Sequence, residues 1–132
     1  MVVYNTGGGF SGRGDGRVVI TSQGDVAAGR PSIPEIRFEC SSHLSTSDLR
    51  MMEQLIASSN PDRWNARYVS PESRYTDELG FGLELHRRVD NGSEQIYVTS
   101  WDTSSFGLLP ADLMAIDEAV ARIKANVLAR CD

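Results

Sequence analysis

The sequence has few of the residues that build disulfide scaffolds, metal centres or membrane spans. It contains two cysteines and two histidines in 132 residues, and Cys40 and Cys131 lack the paired spacing of a zinc site. We therefore predict two reduced thiols in a cytoplasmic protein, with a single disulfide between them left open. No apolar run approaches the ~20 residues that a membrane helix needs, and the start of the sequence has no pattern of a secretory signal.

Basic residues are also in the minority. Thirteen Lys and Arg side chains stand against 18 Asp and Glu, which gives a formal net charge of −5 at pH 7. Because the phosphates of nucleic acids attract basic surfaces, this balance disfavours a nucleic-acid partner. The length suits one domain, and we expect residues 1–132 to form it. The sequence does not indicate an oligomeric state.

Two kinds of hydrophobic pattern alternate along the chain. Strands are predicted where β-branched, aromatic or alternating apolar residues occur, at 2–4, 17–23, 35–40, 79–88 and 95–101. Helices are predicted where apolar residues recur every three or four positions, at 44–58 and 108–130. Segments 24–34 and 59–78 contain prolines and have no clear period, so they are predicted to be loops or insertions. Hairpins joined by helices predict an α+β fold, with an antiparallel β-sheet of four to five strands and two helices packed on one face.

The start of the first helix has the strongest local signal. Ser45 with Asp48 three residues later resembles a capping box, with Asp in place of the usual Glu or Gln. Leu44 and Leu49 occupy the two positions of a hydrophobic staple. At the second helix, Pro110 suits the first turn, where a missing N–H has no cost.

No motif in the sequence predicts catalysis. Gly7, Gly9 and Gly12 match the dinucleotide-binding pattern, but a β-branched run follows them where that motif needs a helix. His43 precedes a helix cap and His86 lies on the polar side of a strand, so we predict no catalytic residue, metal or cofactor. A pocket that places either histidine beside a carboxylate would favour the alternative of a small enzyme.

Three large aromatic side chains are candidates for contact or core positions. Trp101 follows a strand and is predicted to be in the core, whereas Trp64 lies in a polar connection and is a candidate for a contact surface. Phe10 lies in a glycine-dense loop, where it either folds back onto the sheet or anchors the loop in the pocket of a partner.

At this loop the sequence resembles the emfourin family of small proteinaceous inhibitors of thermolysin-like metalloproteases. In that family the first strand ends in Ser-Gly-Gly-Phe-Ala-Gly, and Gly8, Gly9, Phe10, Ser11 and Gly12 match this pattern with serine in place of alanine. The family continues with a strand, a helix, an antiparallel strand pair and a C-terminal helix introduced by Leu-Pro. Segments 43–57, 81–102 and 108–120 can be laid on the last three of these elements, while 24–34 and 60–78 look like insertions.

The resemblance implies a non-enzymatic inhibitor of a thermolysin-like zinc metalloprotease. The Gly7–Gly12 loop would enter the protease cleft, and Phe10 would fill the pocket that takes a large apolar substrate side chain. The residues predicted to bind the partner are Gly8, Gly9, Phe10, Ser11, Gly12 and Trp64. The alternative is a protein-interaction or regulatory domain with an unknown partner. Neither interpretation involves nucleic acid or a membrane.

Overall fold

The structure is a computed structural model that describes residues 2–8, 16–29, 40–68, 80–88, 92–102 and 107–131. Its strands are β1 (Val2–Gly8), β2 (Gly16–Ile20), β3 (Asp25–Gly29), β4 (Cys40–His43), β5 (Arg67–Tyr68), β6 (Gly80–Arg88) and β7 (Glu94–Asp102). Its helices are α1 (Thr46–Ala57) and α2 (Ala111–Cys131), and a 3-10 turn covers Pro61–Arg63.

The strands form one sheet in the order β4-β3-β2-β1-β6-β7-β5. All neighbours pair antiparallel except β5, which runs parallel to β7. The predicted α+β class with two helices and an antiparallel arrangement is confirmed, but the sheet has seven strands rather than four to five. Strands β3 and β5 lie in segments 24–34 and 59–78, where loops or insertions were predicted. Of the predicted strand 35–40, only Cys40 is among the described residues, as the first residue of β4.

One face of the sheet carries the hydrophobic core. Val18 and Ile20 of β2 and Leu83 and Leu85 of β6 are buried, while the residues between them point to the opposite face. Helix α2 packs against β1 to β4 on the buried face, and α1 contacts α2. From the helices, the core receives Met52, Ile56, Leu113, Ile116, Val120, Ile123 and Val127. The repeats of three and four residues that predicted both helices are therefore the buried stripes of α1 and α2.

The predicted start of α1 is confirmed. Ser45 is the N-cap residue, and its Oγ accepts a hydrogen bond of 3.2 Å from the backbone N–H of Asp48. This bond satisfies one of the N–H groups that the first turn of a helix leaves without an intrahelical partner. Helix α2 begins one residue after Pro110, whose carbonyl accepts the bond from the N–H of Met114, so the proline lies at the cap rather than within the helix.

The prediction of two reduced thiols is wrong. Cys40 and Cys131 form a disulfide with a Cα–Cα distance of 5.7 Å, although they are 91 residues apart in the chain. Sequence spacing alone does not reveal this contact, because the fold has to bring the first residue of β4 to the last residue of α2. Neither helix in the described part of the chain is long and apolar enough to cross a lipid bilayer.

Candidate functional site

Several connections leave the sheet at the same end. The strand register places Gly7 opposite Gly16 and Gly8 opposite Gly80, and the same end carries Gly29 of β3. We call it the glycine end, defined by Gly8, Gly16, Gly29 and Gly80. Segments 9–15, 30–39 and 69–79 are each attached there at both of their ends, because β4 begins and β5 ends at this side of the sheet.

The glycine-phenylalanine motif begins at this end of the sheet. Gly8 is the last residue of β1 and pairs with Gly80 of β6. Strand β1 is central, since β2 pairs with it on one side and β6 on the other. Gly9, Phe10, Ser11 and Gly12 lie outside the described residues. The structure therefore describes the strand that leads into the predicted binding loop.

An aromatic pair lies beside the end of β1. Phe81 is opposite Gly7 in the register, and Trp101 is opposite Phe81. Their rings are nearly parallel, at an interplanar angle of 11° with centroids 6.2 Å apart. Trp101 is buried, as predicted, and its indole Nε1–H has no hydrogen-bond acceptor among the described residues. On the core side of the sheet, the glycine end is therefore packed against two aromatic rings.

Trp64 does not lie beside β1, the strand that leads into the motif. It precedes β5, and β5 is separated from β1 by three strand spacings, which amounts to about 14 Å across the sheet. Its ring packs partly buried against the core, and its Nε1–H donates a hydrogen bond of 3.1 Å to Oδ2 of Asp112. The described contacts of Trp64 thus fix the connection before β5 to the first turn of α2.

Asp112 accepts from several donors at once. Besides Trp64, the backbone N–H of Asn60 donates to Oδ2 at 2.8 Å, and the N–H of Leu113 donates to Oδ1 at 2.9 Å. Partial burial alone would raise the pKa of this carboxyl, but the hydrogen bonds from Asn60, Trp64 and Leu113 outweigh it and lower the pKa. The sequence gives no sign of this role, because a carboxylate near a helix N-terminus is usually solvent-exposed.

Both histidines contact carboxylates. Nδ1 of His43 lies 3.0 Å from Oδ1 of Asp25, and the two side chains are 63% and 67% exposed. His86 lies between Glu84 and Glu94, with its Nε2 and Nδ1 at 3.2 and 3.0 Å from their carboxylate oxygens. The hydrogen bonds described for the two imidazoles join His43 to Asp25 and His86 to Glu94.

Comparison with known proteins adds no relative from which to transfer a function. No protein-family model matches the chain, and no curated protein matches it. Within the described ranges, His, Cys, Asp and Glu side chains form no group of three that could hold a metal ion.

The glycine end itself could not be located from the sequence. The glycines and both proline-containing segments are visible as patterns, but their meeting at one end of the sheet depends on which strands pair and in what register. The pairing of Ala28 with Cys40, for example, crosses a segment with no clear period. The glycines that begin or end strands, such as Gly16, Gly29 and Gly80, are the sequence feature that could have indicated this end of the sheet.

Proposed function

We propose that the protein inhibits a thermolysin-like zinc metalloprotease by placing its Gly7–Gly12 segment in the active-site cleft. The proposal rests on the resemblance of residues 8–12 to the emfourin motif. The structural observation that supports it best is the central position of β1, which runs as a paired strand up to Gly8. A segment that starts from a strand paired on both sides has a fixed base, and a fixed base lowers the entropy lost on binding.

The described surroundings of Gly8 are suited to this role. Strand β2, which receives the chain after the motif, pairs with β1 from Gly16 onward, so both ends of the motif are attached to neighbouring strands. The stacked rings of Phe81 and Trp101 support the same end of the sheet from the core. In this proposal, Phe10 is the anchor that fills the substrate pocket, and the glycines allow the backbone to approach the protease closely.

The test is a titration of thermolysin-type activity after preincubation with the purified protein, over a panel of zinc proteases. We expect inhibition of at least one of them, and Phe10→Ala should weaken it by on the order of 2 kcal/mol or more, about thirtyfold in the inhibition constant. Val98→Ala is the matched control, because Val98 is an exposed aliphatic residue on β7 outside the motif. Equal inhibition by Phe10→Ala and the unmodified protein would contradict the proposed mechanism.

The second candidate is a protein-interaction or regulatory domain with another partner. The meeting of several connections at the glycine end favours it, because binding residues are often carried by loops on a rigid sheet. The titration separates the two, since only the inhibitor reduces protease activity. The cytoplasmic location stays a prediction, and the Cys40–Cys131 bond counts against it because disulfides persist mainly in oxidising compartments.

A further inference from the structure

The sheet face opposite the helices carries an exposed aliphatic ridge. Ile96 and Val98 of β7 point to this face and are 55% and 60% exposed. Among the residues whose side chains the structure describes, one other large hydrophobic residue, Leu108, is exposed to a similar degree. Because side chains two positions apart on a strand share a face, Ile96 and Val98 form a small contiguous apolar patch. We call Ile96 and Val98 the ridge.

The same face carries a groove on the other side of β1. Its volume is 390 Å³, and its outward lining includes Val19, Ala27 and Ser41. Ala27 and Ser41 have small side chains, which extend less far from this face than the side chains of Ile96 and Val98 on β7. Thr21, Asp25, Val26 and Ser42 complete the lining.

The ridge and the groove lie on the same rows of the sheet. The register connects Val98 through Glu84 and Tyr4 to Val19 and Ala27. The next row connects Ile96 through His86 and Val2 toward the end of β2, where Thr21 begins the turn that leads to Asp25. In the strand order, β7 is two strands from β1 on one side and β3 is two strands from β1 on the other.

We propose that this face is the interface of a symmetric dimer whose twofold axis runs along β1. A rotation about that axis exchanges the two sides of the sheet and keeps every row at its own height. It therefore places Val98 of one copy over Ala27 of the second copy, and the ridge of the second copy over the groove of the first. Each contact occurs twice, as an isologous interface requires. Two sheets packed face to face in this way are aligned and lie about 10 Å apart.

The charged groups between the ridge and the axis can be covered without losing their partners. Oε2 of Glu84 lies 3.2 Å from Nε2 of His86, and Nδ1 of His86 lies 3.0 Å from Oε1 of Glu94. Glu84 and Glu94 thus share one imidazole within their own chain, and a protonated imidazole offsets part of their negative charge before the copies meet.

The size of the face indicates a weak dimer. Five strand spacings from β4 to β7 give a width of about 24 Å, and the rows from residue 96 to residue 100 add a height of about 14 Å. With the side chains at the margins, each copy would cover roughly 400–500 Å², so the total is about 1,000 Å² or slightly less. This is the lower limit for a specific interface, so we expect a dissociation constant in the micromolar range or above.

Sedimentation equilibrium of the full chain, from about 1 µM to about 1 mM, tests the proposal. We expect a reversible monomer–dimer equilibrium. Val98→Lys and Ala27→Glu should each weaken the dimer at least about tenfold, because each introduces an unpaired charge into the contact. Leu108→Lys is the matched control, since Leu108 is 50% exposed but lies outside the sheet, and this variant should dimerise like the unmodified protein.

Mixing the two single variants tests the geometry. A dimer of one Val98→Lys copy and one Ala27→Glu copy has one Lys–Glu contact and one original Val–Ala contact, so dimerisation should return in the mixture. Circular dichroism checks that each variant is folded, and Ile96→Lys replaces Val98→Lys if that variant is not. A monomer at every concentration, a dimer insensitive to both substitutions, or a mixture that stays monomeric would each overturn the proposal. None of these outcomes bears on inhibition of a protease.

Discussion

Cys131, the last residue of α2, is bonded to Cys40, the first residue of β4. Strand β4 has four residues and lies at the edge of the sheet that the described strands form, with β3 as its neighbour. A short edge strand has little hydrogen bonding of its own to hold it in place. The bond attaches this edge to the long helix that covers the sheet, and it closes a loop of most of the chain.

Removing the disulfide should destabilise the protein. A disulfide restricts the unfolded chain, and losing one from a small domain typically costs roughly 2–5 kcal/mol. We expect the double variant Cys40→Ser, Cys131→Ser to unfold at a lower urea concentration than the unmodified protein. Dithiothreitol should lower the midpoint of the unmodified protein toward that of the variant and leave the variant unchanged. Equal midpoints for all four samples would contradict the prediction.

The carboxylate of Asp112 should make stability depend on pH. Its pKa is lowered in the folded protein, so its contribution is present above the unfolded pKa and is lost as the pH falls through the folded pKa. Asp112→Asn should therefore destabilise the protein at pH 7 by about 1–3 kcal/mol, because it weakens bonds to the N–H groups of Asn60 and Trp64. The difference in the free energy of unfolding between Asp112→Asn and the unmodified protein should become smaller as the pH falls below about 4.

Urea denaturation of both proteins at a series of pH values measures this effect. Glu118→Gln is the matched control, since Glu118 is an exposed carboxylate on the same helix. The control should show no comparable difference at any pH. The two proteins could instead differ in their free energy of unfolding by the same amount down to strongly acid pH. That result would show that the carboxylate charge is not involved.

The parts of the fold that the sequence predicted correctly are those whose burial follows a local period. Leu83 and Leu85 alternate in β6, and Leu113, Ile116 and Val120 recur along α2, because each element turns one side to the core. Strand β3 has no such signal. Its alternation of Val26 and Ala28 is short, and alanine and glycine are weak strand formers, so its pairing with β2 and β4 decides its conformation.

Local patterns also could not decide which face of β7 is buried. Ile96 and Val98 are the more hydrophobic pair, yet they are exposed, and Thr99 is 1% exposed. Thr99 lies opposite Leu83 in the register, and its Oγ1 donates a hydrogen bond of 2.7 Å to the carbonyl of Asn65. A contact with a residue 34 positions away satisfies the hydroxyl, and no pattern within β7 could predict it.

The N-cap of α1 should contribute measurably to stability. Ser45→Ala removes the oxygen that accepts from the N–H of Asp48, and losing an N-cap side chain typically costs about 1 kcal/mol. Thr46→Ala is the matched control, because Thr46 is an exposed residue in the first turn and alanine has the higher helix propensity. Thermal unfolding should show a lower midpoint for Ser45→Ala and an equal or higher one for Thr46→Ala. A fall of the same size in both variants would rule out the cap as the cause.

Trp64 was predicted to bind the partner, but its contacts in the fold indicate a structural role. Measuring both stability and inhibition in Trp64 variants distinguishes the two roles. Because the ring is partly buried and its Nε1–H bonds to Asp112, Trp64→Ala should lower the free energy of unfolding by about 2 kcal/mol. Trp64→Phe keeps most of the packing and loses only the hydrogen bond, so it should cost less. Protease inhibition by the folded fraction of each variant should equal that of the unmodified protein, because β5 is three strands away from β1. Weaker inhibition by a fully folded Trp64→Ala protein would instead place this ring in the binding surface.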